Sequence, residues 1–172
     1  MNEIASPVMV EDLFLTDTFL IKGRLVGKHQ RLAKMLEAFT DGFLQVEDAA
    51  MVSLRSSEVI RSPRVLVNPR ELILAHELID FAGDSVQRQL ARTEKNTRIR
   101  AFYNGAVQLE LSGMIEQRAY EPNHRSGQRY FVMENPRLRG IQVGNGSELS
   151  ILAGLSYAIV RKDRLAYVYD FS

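Results

Sequence analysis

The chain has 172 residues, no cysteine and a formal net charge of +1, which excludes a disulfide framework, a thiolate zinc site and a cysteine nucleophile. Apolar residues at 45% and charged residues at 25% are ordinary for a soluble globular protein, and no run approaches the roughly 20 apolar residues of a membrane span. The near-neutral total hides a split: residues 1–86 carry nine Lys/Arg against thirteen Asp/Glu, whereas residues 87–172 carry thirteen against eight. An acidic half joined to a basic half suits head-to-tail contact between copies, or capture of an acidic partner by the second half.

Residues 1–14 read as an N-terminal arm. Met1-Asn2-Glu3-Ile4-Ala5-Ser6-Pro7 lacks the basic region and apolar core of a secretory signal, so a cytoplasmic location is the default expectation. A first unit spans 15–80. Phe19, Ile21, Gly23 and Leu25 alternate with Leu20, Lys22, Arg24 and Val26, which predicts a strand with one buried face. The period then changes: Leu32, Met35, Leu36 and Phe39 form the stripe of one short helix, ended at Thr40-Asp41-Gly42. Strands are predicted around 43–54, 58–67 and 71–79, with Asn68-Pro69-Arg70-Glu71 as a turn.

Residues 81–97 read as a linker with a short helix. Its basic residues Arg88 and Arg92 continue into Arg98 and Arg100, the densest positive run in the chain, and Phe102 and Tyr103 follow. Basic and aromatic side chains in one run suit the backbone and bases of a single nucleic-acid strand. The same run could equally hold an acidic protein. A second unit spans 98–172, opening on the alternation of Val107, Leu109, Leu111, Gly113 and Ile115. Tyr120–Gly127 has turn chemistry where the first unit has its helix. Asn135-Pro136-Arg137 and Val143–Ser147 mark further turns. In the last strand Leu165, Tyr167, Tyr169 and Phe171 share a face, and Tyr167, Tyr169 and Phe171 are the candidate protein interface, an edge able to pair with a neighbouring chain.

Three segments recur in order. Thr18–Leu25 answers to Gln108–Ile115, Phe43–Asp48 to Tyr130–Asn135, and Val65–Leu72 to Ala158–Leu165, at offsets of 90, 87 and 93 residues. The expected fold is therefore mainly β, two tandem small barrels related by internal duplication and packed on each other, because a unit of this size buries too little surface alone. Thr16-Asp17-Thr18, Gly23, Arg31-Leu32, Leu36, Phe43-Leu44, Asp48-Ala49, Val67-Asn68 and Ile73–Glu77 together resemble an uncharacterised bacterial domain of unknown function with a small Sm-like β-barrel. That resemblance covers roughly residues 16–80, is weaker in the second unit, and implies a fold without implying catalytic residues.

Catalytic and metal signatures are missing from the sequence. His29, His76 and His124 are scattered without ligand spacing, and neither a Gly-x-Ser-x-Gly elbow nor a P-loop occurs. Arg88 and Arg92 have the spacing that opens cyclic-dinucleotide-binding barrels, but no matching downstream strand motif follows. Glu47-Asp48 and Glu134 sit at matching places and read as turn residues bonded to nearby amides. The expectation is a non-enzymatic assembly or adaptor protein without cofactor or metal, binding its own copies or a larger complex. Nucleic-acid binding by the Arg88–Tyr103 run, and sensing of a small nucleotide-like ligand in the cleft between units, are the alternatives.

Overall fold

Ten strands, one α-helix and three short 3-10 turns make up the regular structure of the computed structural model, which describes residues 11–56, 58–78, 94–141 and 148–172. The first half holds β1 (Asp12–Leu15), β2 (Phe19–Leu25), α1 (Leu32–Ala38), β3 (Leu44–Ser53), β4 (Val59–Val67) and β5 (Leu74–Glu77). The second holds β6 (Thr97–Tyr103), β7 (Leu109–Ile115), β8 (Tyr130–Arg139), β9 (Tyr157–Arg161) and β10 (Tyr167–Asp170). All pair antiparallel in one sheet of order β10-β6-β7-β8-β9-β5-β1-β2-β3-β4, which does not close. The mainly β expectation holds, while separate barrels give way to one continuous ladder. Its middle rung is β5 against β9, where Leu74 faces Val160 and Ala75 faces Ile159.

Within each half the fifth strand returns to pair with the first, and a four-strand meander follows. Leu74 faces Leu15 and Tyr167 faces Phe102; Leu20 faces Val52 and Glu110 faces Arg139; Val67 faces Leu44 and Val160 faces Phe131. Both halves also bend at a bulge. Asp48 and Ala49 oppose the single Gly23, and Asn135 and Pro136 oppose Gly113. Asp48 and Asn135 each take φ 49° there, a left-handed conformation that Asp and Asn tolerate better than most residues. Glycine is required opposite: a Cβ on Gly23 would lie 2.7 Å from the Glu47 carbonyl oxygen, and one on Gly113 the same distance from that of Glu134. Asp48 and Asn135-Pro136-Arg137 thus lie inside β3 and β8. Their turn-like composition marks bulges, which correct the turns expected at both places.

The burial pattern decides how the ladder folds up. Phe14, Ile21, Leu25, Val46 and Ala75 point to one core, closed by Leu32 and Leu36 of α1 and by Tyr130, Tyr157 and Ile159 from the second half. Leu13, Leu15, Leu20, Val52 and Leu74 point to the other face, where they meet Ile99, Ala101, Tyr103, Leu109 and Leu111. Each core therefore draws on both halves. Burial of a leucine such as Leu13, Leu15 or Leu20, all at 0% exposure, stabilises by about 1.5–3 kcal/mol. The arm expected at residues 1–14 is in part a strand, β1, whose four residues are all buried and so show no alternation.

Polar contacts fasten the halves as well. The Glu37 carboxylate on α1 accepts from the backbone amides of Arg129 and Tyr130, and Arg129 Nη1 donates to the Glu37 carbonyl at 2.6 Å. Arg161, buried at the end of β9, donates to the Pro69 carbonyl and to the Tyr130 hydroxyl, both at 3.0 Å, and its other nitrogens grip the Asp163 carboxylate. Burial draws the Lys162 ammonium below its ordinary range, and its Nζ donates to the carbonyls of Glu121 and Gly127.

Candidate functional site

Two features stand out from ordinary core and surface: the open edges of the sheet, and a buried charge cluster. The edges are β4 and β10. Among the described residues eight large apolar side chains are exposed, of which Val59, Ile60 and Leu66 lie on β4, Phe43 flanks β3, Tyr167, Tyr169 and Phe171 lie on or just after β10, and Val26 follows β2. Apolar groups gathered on strands paired along one side only form a ready template for another chain.

The face beside β10 gathers most of the residues singled out by sequence. Tyr169 stands opposite Arg100, and the Phe171 amide donates to the Arg98 carbonyl at 3.1 Å. The Arg98 guanidinium lies 5.8 Å from the Phe171 ring centre and that of Arg100 5.5 Å from Phe102, distances at which a cation is drawn to an aromatic face. Arg100 Nε also donates to Glu110 at 2.6 Å, and that bond holds the Glu110 carboxyl below its usual range. Arg137 and Arg139 of β8 are exposed on the flank. Tyr103 does not join this face. Strand alternation sends it inward with Thr97, Ile99 and Ala101, to 2% exposure, and burial raises its hydroxyl pKa. Arg88 and Arg92, with the predicted linker helix, lie outside the described residues.

The buried cluster was not legible as a unit. Asp12 and Glu77 face one another across β1 and β5, and Lys28, from the loop after β2, places Nζ 2.8 Å from Asp12 Oδ1 and 3.7 Å from Glu77 Oε2. All three side chains are at most 2% exposed. Glu77 Oε1 accepts from the Leu32 amide at the first turn of α1, so the cluster anchors the helix that caps one core. Burial outweighs the Lys28 hydrogen bond and raises the Asp12 pKa to about 6. His76 is engaged nearby, its Nδ1 2.9 Å from the Tyr157 carbonyl and its ring tilted on that tyrosine. Glu47 bonds Arg24 at 2.6 Å, and Glu134 lies at the second bulge.

A pocket of about 250 Å³ between the halves includes Phe43, Arg70, Arg129 and Arg161 in its wall. Arg161 and Arg129 spend donors on the structural bonds described above, so Arg70 is the cation it offers most openly. Among the described residues no cluster of three or more His, Asp or Glu is arranged to hold a metal ion, and no helix is long and apolar enough to cross a membrane. Comparison with known protein families, characterised proteins and solved structures finds no match.

Proposed function

We propose that the chain is a non-enzymatic assembly protein, built of two Sm-like units that arose by duplication, which binds protein chains by strand addition at its open sheet edges. The observation that carries this reading is the gathering of exposed apolar side chains on β4 and β10 and their flanks. Strand addition supplies backbone hydrogen bonds for affinity and side-chain pockets for selectivity. The shared strand order and bulge register of the halves support the duplication. The test is mass by light scattering at low and high salt, followed by amide hydrogen exchange. Assembly through the edges slows exchange in β4 or β10 as the mass rises; an oligomer leaving both strands unprotected sinks the edge reading.

A second reading rests on the face formed by Arg98, Arg100, Phe102, Tyr167, Tyr169 and Phe171, which sets aromatic rings and guanidinium groups side by side as a single-stranded nucleic acid requires. It predicts oligonucleotide binding that weakens steeply with salt. Binding that is absent at low salt removes it.

A further inference from the structure

The middle of the sheet already contains a join between a fifth strand and a fourth strand, and among the described residues the two ends of the sheet are the same pair left unjoined. β5 is the fifth strand of the first half and meets β9, the fourth of the second. The strands left over are β10, the fifth of the second half, and β4, the fourth of the first. We propose that β10 of one copy pairs antiparallel with β4 of a second copy, with Tyr167 opposite Val67 and Val168 opposite Leu66. This names the partner of the edges and rests on the assembly reading above.

The register follows from strand pairs already described. Leu74 and Tyr167 hold the same place, each facing the last or next-to-last residue of its first strand, Leu15 or Phe102. Val160 and Val67 also correspond, facing Phe131 and Leu44. Since Leu74 faces Val160 and Ala75 faces Ile159 at the internal join, Tyr167 takes Val67 and Val168 takes Leu66 at the external one. The backbone leads into it alike: the Ile73 amide donates to Leu15 and the Ala166 amide to Phe102, both at the start of the returning strand. At the internal join the Ile73 carbonyl then accepts from the Arg161 amide at 3.1 Å, which assigns the Ala166 carbonyl to the Asn68 amide of the second copy.

Exposure supplies the driving force. At the internal join Leu74 and Ile159 are each 1% exposed and His76 9%, whereas their counterparts Tyr167, Leu66 and Tyr169 are 66%, 54% and 59% exposed. A second copy seated in this register covers those three side chains as the first half covers its own. Pro63 lacks an amide donor and confines the pairing to the Val65–Val67 end of β4. The contact also sets the basic second half beside the acidic first half of the next copy. It is head-to-tail, so it generates a ring where the rotation closes and a filament where it does not.

The absence of native cysteine makes disulfide trapping a clean test. Directly opposed antiparallel residues have Cα atoms about 4.5–5.5 Å apart, within disulfide reach. Leu66→Cys and Val168→Cys, expressed separately and mixed under mild oxidation, are expected to give a crosslinked pair of about twice 19.5 kDa, with neither variant crosslinking alone. Leu66→Arg, at an exposed site that spares the core, is expected to weaken self-association at least about tenfold. A wild-type oligomer whose mixed variants fail to crosslink, or a single variant that crosslinks with itself, overturns the head-to-tail register and leaves assembly to another surface. A chain monomeric at tens of micromolar, with no crosslink, overturns both the register and self-assembly.

Discussion

The two halves share a strand order and a register and differ in what covers one face. In the first half that face is Leu13, Leu15, Leu20, Val52 and Leu74, all nearly or fully buried beneath the second half. The corresponding face of the second half is Arg100, Phe102, Glu110, Arg139 and Tyr167, on which, among the described residues, nothing is packed as the second half packs on the first. The same backbone thus supports an apolar face where a neighbour is built into the chain, and a mixed aromatic and charged face where it is not. Under the assembly proposed above, that composition keeps the face hydrated while free and lets it accept a partner.

The difference can be broken most severely by giving the first half the second half's residues. Leu20→Glu, copying Glu110, buries a carboxylate with no partner and is expected to cost more than about 4 kcal/mol, or to prevent folding; the reverse change, Glu110→Leu, should stay within about 1 kcal/mol. Denaturant melts of the two variants check both. Next in size is the buried cluster, which occurs in the first half alone: its Asp12 occupies the place of Ile99, since Asp12 faces Gly23 and Ile99 faces Gly113. Lys28→Met strands Asp12 and Glu77 and is expected to cost about 3–5 kcal/mol at neutral pH, with α1 loosened first and visible as faster amide exchange at Leu32–Ala38.

The same cluster makes stability depend on pH. The Asp12 pKa rises from 3.8 to about 6 on folding, so its contribution is fully present below 3.8 and is lost as the pH climbs through 6, a change of up to about 3 kcal/mol. Urea melts between pH 4 and 7 should show that loss in the wild type and a flatter profile in Asp12→Asn; equal slopes would remove Asp12 as the source. The smallest effect sharpens the likeness of the halves. Gly23→Ala and Gly113→Ala each press a methyl against a bulge carbonyl and should destabilise similarly, by about 1–3 kcal/mol, in thermal unfolding. A strong effect at one site and none at the other would separate the two bulges.

Local pattern carried much of the secondary structure. The alternation through Phe19–Leu25, the helical stripe of Leu32 and Leu36, and the apolar spacing of Leu109–Ile115 correspond to β2, α1 and β7, because the two faces of each differ in burial, only partly so in β2, where Leu20 is buried against one core and Ile21 and Leu25 against the other. The pattern failed where that asymmetry is missing or masked. β1 is buried on both faces, and β6 carries Arg98 and Arg100 on the face that also bears Phe102. Asn135-Pro136 has the composition of a turn because a bulge needs the same backbone angles as a turn. At the candidate surface, alternation alone separates Tyr103 from Phe102; the rest waited on knowing where β10 lies.

The mainly β character, the alternating stretches and the places where acid and base concentrate are legible along the chain, since they depend on near neighbours. That β5 joins β9, that Asp12, Lys28 and Glu77 meet, and that β4 and β10 are left as edges emerges from the folded arrangement alone. Those outcomes depend on pairing between segments as far apart as Leu74 and Val160, and a strand's own sequence constrains its faces far more tightly than its neighbour across the ladder.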